Sequence, residues 1–155
     1  MTTLLLPAVL LETARTFFED CGVCGHEGTA MIKNGPAGPE LFIPDQRPRR
    51  SPAGGVSVEL TRSGQIQMAL ALGPDDLYVA RIHSHPAEAF HSPADDVNPV
   101  LTHEGALSIV APFFGLGLRR GLDTCAVLRH ERGRWRPLPT GPERDRWVQM
   151  ISEES

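Results

Sequence analysis

Arg81-Ile82-His83-Ser84-His85-Pro86-Ala87-Glu88-Ala89-Phe90-His91-Ser92-Pro93-Ala94-Asp95-Asp96 is the stretch on which the reading of this sequence turns. Its first part closes an extended run, Leu77–Ser84, in which Tyr78, Val79 and Ile82 favour strand, and Pro86 ends it. Side chains two apart on a strand share a face, so His83 and His85 project together with backbones roughly 6–7 Å apart. Ser92-Pro93-Ala94-Asp95 carries the marks of a helix start: serine at the cap, proline at the first position, and an acid three residues after the cap. A helix begun there orients Asp95 as a third ligand, with Asp96 its rival and Asp95 favoured by register. Two imidazoles and one carboxylate leave a tetrahedral zinc ion with an open corner, the arrangement of a catalytic rather than a structural site. His91 is a loop residue beside this site.

Working outward, Leu4–Leu6 predicts a short strand, and Leu10, Ala14 and Phe17 predict a helix from about Pro7 to Asp20. Cys21–Ile32 is expected to form a hairpin around Gly25–His26–Glu27–Gly28, with His26 and Glu27 as turn residues. Residues 35–55, rich in proline and glycine, are expected to be a long exposed loop with a strand at Leu41–Ile43. A helix capped by Ser63 should run to about Leu72 with Ile66 and Leu70, and secondarily Met68 and Ala69, inward. Leu107–Phe114, Thr124–His130 and Arg134–Leu138 predict strands, the last two joined by a turn at Glu131–Gly133. A closing helix is expected from about Pro142 to Ser152, with Trp147, Met150 and Ile151 on one side. The order predicts one mixed α/β domain over residues 1–155.

Composition narrows the functional classes. The 155 residues are 41% hydrophobic, sufficient for a core without staples. Nineteen acidic against 15 basic residues give a formal charge of −4, which disfavours a general nucleic-acid binder. The most apolar stretch, Ala106–Leu118, is interrupted by Ser108, Pro112, Gly115 and Gly117 and is too short to span a bilayer. Leu4–Leu11 lacks the preceding positive charge of a signal peptide. Cys21, Cys24 and Cys125 cannot all pair within one chain, so the expected compartment is a reducing cytoplasm. No second cysteine pair accompanies Cys21-x-x-Cys24, which weakens a structural-zinc reading, and no His-Glu-x-x-His occurs anywhere.

His83-Ser84-His85-Pro86, then Ser92 and Asp95, preceded by Glu19-Asp20-Cys21-Gly22, resembles the signature of the JAMM (MPN-plus, JAB) zinc metalloproteases. The likeness extends over about residues 5–138 and is similar in element order to short bacterial JAB proteins. It implies an α/β (α+β) MPN/JAB fold: a mixed central β-sheet flanked by helices, with cytidine-deaminase-like layering. It also implies one Zn2+ ion held by His83, His85 and Asp95, with Glu19 polarising the attacking water and Ser92 helping to hold the oxyanion. Between His85 and Ser92 stand six residues, one fewer than the family's usual spacing, so a shorter loop over Ala87–Ala89 is expected.

The resemblance further implies hydrolysis of the amide bond after the C-terminal glycine of a ubiquitin-like protein, in deconjugation or precursor processing. The partners implied are that modifier or its conjugates and the activating and conjugating enzymes of a bacterial pathway, some such pathways being antiphage. The substrate tail is expected in a groove beside the Leu77–His85 strand, adding to an exposed edge. The alternatives are a peptidase releasing an amino acid from a sulfur-carrier protein, and a non-catalytic MPN scaffold. Neither nucleic acid nor membrane is an expected partner.

Overall fold

Leu10, Leu11, Ala14, Phe18 and Cys21 recur at three- and four-residue intervals, and winding them onto one stripe produces helix α1, Ala8–Val23. A computed structural model of the protein describes residues 2–50, 56–89 and 101–152. Strand β1 (Leu4–Pro7) leads into α1, with Pro7 as its cap residue. Strands β2 (Thr29–Gly35), β3 (Gly38–Phe42), β4 (Gln46–Arg50) and β5 (Val56–Leu60) follow, then helix α2 (Arg62–Leu70) and strand β6 (Leu77–Ser84). Strand β7 (Leu107–Ala111), a 3-10 turn (Leu116–Arg120), β8 (Ala126–Glu131), β9 (Arg134–Pro137), a helical turn (Pro142–Asp145) and β10 (Val148–Ile151) complete the order.

Among the described residues six strands form the central sheet in the order β3-β2-β6-β7-β8-β9. Only the β6–β7 pair within it is parallel, which makes the sheet mixed, as expected. The helix α1 covers one face, where Ala30, Ile32, Ala80, Ile82, Leu107 and Ile109 meet Leu11, Ala14 and Phe18. Burying each of the large side chains there contributes about 1.5–3 kcal/mol. On the opposite face, Met31, Met68, Tyr78, Leu101 and Ala106 form a second cluster, and the Tyr78 hydroxyl donates to the Met68 carbonyl at 2.7 Å. Gly28 permits the close seat of β2 under α1, since a Cβ there would meet the Phe17 and Phe18 rings at 2.9 Å.

Several local expectations are corrected. Cys21–Val23 is the last turn of α1 rather than a hairpin arm, because burial of Cys21 carries the helix through two poor helix formers. Residues 38–50 form two strands where a loop with one short strand was expected, and β4 pairs with β5 in its own antiparallel hairpin. Thr61, not Ser63, caps α2, accepting from the Gly64 amide at 3.0 Å. Met68 faces inward as expected, joined by Gly64, whereas Ile66, Ala69 and Leu70 are exposed. The expected closing helix is a single turn followed by β10, because Val148–Ile151 gain a parallel partner in Leu4–Pro7. The expected strand Leu107–Phe114 stops at Ala111, where Pro112 withdraws a donor and Phe113 and Phe114 adopt positive φ. The expected helix start at Ser92 lies outside the described residues.

Candidate metal centre

Alternation along β6 decides which side chains share a face. Ala80 and Ile82 join the core beneath α1, and Arg81 and His83 therefore project from the other face, followed by His85 just past the strand end. The two imidazoles are almost fully buried, with 3% of His83 and 4% of His85 exposed. Their rings lie 5.0 Å apart, tilted by 59°, with the Nε2 atoms 3.2 Å apart. Two nitrogens bound to one tetrahedral zinc ion at ordinary bond lengths stand about 3.3 Å apart. The pair therefore fits two ligand positions of such an ion; the same separation also suits a hydrogen bond between unlike tautomers.

Main-chain hydrogen bonds fix this pair. The His85 amide donates to the Ala111 carbonyl at 2.9 Å, and the Phe114 amide donates to the His85 carbonyl at 2.7 Å. On the other side, β2 runs antiparallel with Thr29 opposite His83. The pairing continues outward: the Ser84 amide donates to the Gly28 carbonyl at 3.0 Å, and the Gly28 amide donates to the Ser84 hydroxyl at 2.9 Å. One step further along this register, the main chain at Glu27 adjoins that at His85, just past the paired ends of β2 and β6. Glu27 is half-buried, and the turn that holds it is braced by His26, whose Nδ1 is 3.0 Å from the Glu27 carbonyl oxygen.

The other sequence-derived candidates are placed as follows. Glu19 stands on α1, whose buried stripe covers the opposite sheet face; its carboxylate pairs with Arg15 at 2.7 Å and Arg119 at 3.5 Å. Among the described residues these two arginines are its polar partners. Ser92, Asp95, Asp96 and His91 lie outside the described residues. Within the described residues no group of three or more His, Cys, Asp or Glu side chains is gathered as a metal cluster, so Glu27 does not itself complete one with the histidines. His103 and His130 belong to the other end of the sheet, where the Gly105 amide donates to the His130 carbonyl at 2.8 Å. Burial, reinforced by His130, lowers the His103 pKa. Cys21 is buried and Cys24 exposed, which separates the two thiols to different surroundings. Burial pushes the Cys125 thiol up to about 12.

Sequence reasoning passed over Glu27 as a turn residue. Strand β2, which begins two residues later at Thr29, pairs with the histidine-bearing strand and so brings the Glu27 main chain to that end of β6. Among the described residues β2 and β7 flank β6 on both sides and the sheet's edges are β3 and β9, so a substrate strand could not pair with β6 itself. No helix among the described residues is long and apolar enough to cross a membrane.

No family model matches the sequence. A protein of Sinorhizobium fredii (strain NBRC 101917 / NGR234), named a probable metalloprotease, is 31% identical over 147 residues, an alignment spanning 89% of this chain and 88% of the relative.

Proposed function

The chain belongs to the metalloprotease family of that rhizobial relative, and from this premise we propose that it is a zinc-dependent peptidase of the JAMM type, cutting the amide bond after the C-terminal glycine of a ubiquitin-like protein. The observation that carries the proposal is the buried His83–His85 pair, with Nε2 atoms 3.2 Å apart. His83, His85 and Asp95 would hold the ion. When bound, zinc lowers the pKa of water towards neutrality and polarises a carbonyl.

The remaining roles fall to the chain's own side chains. Glu27, whose main chain adjoins that at His85, takes a proton from the attacking water as its oxygen bonds to the carbonyl carbon. As the carbon–nitrogen bond breaks, Glu27 returns that proton to the leaving amine. Ser92 donates to the oxygen that becomes negative in between. We assign the proton transfer to Glu27 in place of Glu19, since α1 and the imidazoles occupy opposite faces of the sheet and both Glu19 oxygens are engaged by arginines. The cytoplasm is the proposed compartment, consistent with three free cysteines, and the proposed setting is a bacterial pathway with its own activating and conjugating enzymes.

Zinc analysis of the purified protein, paired with cleavage of a ubiquitin-like protein fused through its terminal glycine to a reporter, tests the reading. Stoichiometric zinc and cleavage that a chelator abolishes are expected. Undiminished cleavage by the metal-free protein would refute it, and release of a single amino acid from a sulfur-carrier protein would redirect it.

A further inference from the structure

We propose that Gln46 is a positioning residue for the reaction: its carboxamide acts as a one-residue false strand that holds Glu27 in place through Thr29. The proposal rests on the assignment of Glu27 above. Strand β3 pairs with β2 only from Met31 onward, leaving the outward amide and carbonyl of Thr29 beyond its reach. Gln46 supplies both missing partners. The Thr29 amide donates to its Oε1 at 2.7 Å, and its Nε2 donates to the Thr29 carbonyl at 2.8 Å. The same Nε2 donates to the Pro44 carbonyl at 2.8 Å, which fixes the amide's orientation.

Ser84 grips Gly28 from the β6 side and Gln46 grips Thr29 from the other. The segment Glu27–Gly28–Thr29 is thereby held on alternate sides at successive residues, which is how a ladder fixes a central strand. Gln46 is itself secured from behind. The Asp45 carbonyl accepts from the Thr61 amide at 3.1 Å, the Asp45 carboxylate accepts from the Ser63 hydroxyl at 3.1 Å, and the Asp45 amide donates to Gln67 at 2.9 Å. Gly64 lets α2 approach this knot, because a Cβ there would collide with the Asp45 carbonyl. The base of the β4–β5 hairpin and the start of α2 thus converge on one amide that bonds to Thr29, two residues from Glu27.

Gln46→Ala removes both bonds to Thr29, and Gln46→Met removes them while keeping the side chain's length. Each variant is compared with wild type for Thr29 amide exchange, zinc affinity by chelator competition, and steady-state cleavage of the ubiquitin-like reporter fusion. Faster Thr29 exchange, zinc affinity within about threefold, KM within about twofold and kcat lowered about 10- to 100-fold are expected, since small misplacements of a reacting group cost rates of that order. Unchanged kcat per zinc-loaded molecule, or unchanged Thr29 exchange, would overturn the proposal. If Gln46→Ala fails to fold, Gln46→Met decides alone. Glu27→Gln run in parallel separates the two readings: full activity there defeats the Glu27 assignment, whereas its loss beside fully active Gln46 variants defeats the positioning role only.

Discussion

Ser84 and Gly28 exchange two hydrogen bonds of different kinds: the Ser84 amide donates to the Gly28 carbonyl at 3.0 Å, and the Gly28 amide donates to the Ser84 hydroxyl at 2.9 Å. In a regular antiparallel pair the second bond would end on a main-chain carbonyl. The hydroxyl stands in for it, so β2 stays paired as it turns away from β6. Ser84 separates the two histidines in sequence, so the pin holds the strand end that carries both.

Ser84→Ala leaves a buried Gly28 amide without that acceptor, at a cost of about 1–3 kcal/mol. Urea unfolding should show the loss, with Ser84→Thr, which restores a hydroxyl, closer to wild type. Equal midpoints for the alanine variant and wild type would show that the hydroxyl contributes nothing.

Glu27→Gln is expected to keep its zinc and lose about 100-fold or more in kcat, as removal of a general base does. Glu19→Gln is expected to retain activity within a few-fold, because that carboxylate is turned to Arg15 and Arg119. Zinc content and initial rates measured side by side settle the choice; the reverse ranking would return the proton transfer to Glu19.

How far the site could be read beforehand follows from where each piece of information sits. The strand Leu77–Ser84 was legible because Tyr78, Val79 and Ile82 favour extension and Pro86 stops it, all within ten residues. Helix α1 was legible for the same reason, up to the glycines near its end. The neighbourhood of Glu27 was not, because β2, which it precedes, pairs with a strand over 50 residues later in the chain, Thr29 opposite His83. Strand β10 was hidden more deeply: Trp147, Met150 and Ile151 suit a helix face locally, and only pairing with Leu4–Pro7 makes the segment extended. Sheet partners are non-local, and periodicity reports only what lies within a few residues.

Arg136, then Arg129, hydrogen-bond the Glu131 carboxylate and hold its pKa at about 2, below the ordinary 4.5. A group depressed on folding stabilises the fold above its unfolded pKa, and the contribution disappears as pH falls through the folded value. The stability difference between wild type and Glu131→Gln should therefore be full above about pH 4.5 and vanish below about 2. Urea midpoints across that range test it; a difference that persists unchanged at the acid end contradicts the assignment.

Among the three thiols, Cys24 is exposed while Cys21 and Cys125 are buried. Burial raises the pKa of both inner thiols, that of Cys125 to about 12. A disulfide reagent at pH 8 should titrate one thiol rapidly in the native protein and all three in denaturant. Rapid reaction of Cys125 without denaturant would mean that the sheet opens far more readily than its packing implies.

Strand β1 lies against β10, so Leu4 meets Val148 and Leu6 meets Met150. A nascent chain leaving the ribosome thus exposes its first strand long before the matching one has been made. Helix α1 can collapse early onto β2, but Leu4–Pro7 must wait, unzipped, until synthesis reaches Ile151. Because β1 and β10 run parallel, a linker joining the ends must cross back along the pair and needs about a dozen residues or more. A permutant so tethered and opened elsewhere makes the two strands sequence neighbours and should acquire its final protease resistance sooner after dilution from denaturant.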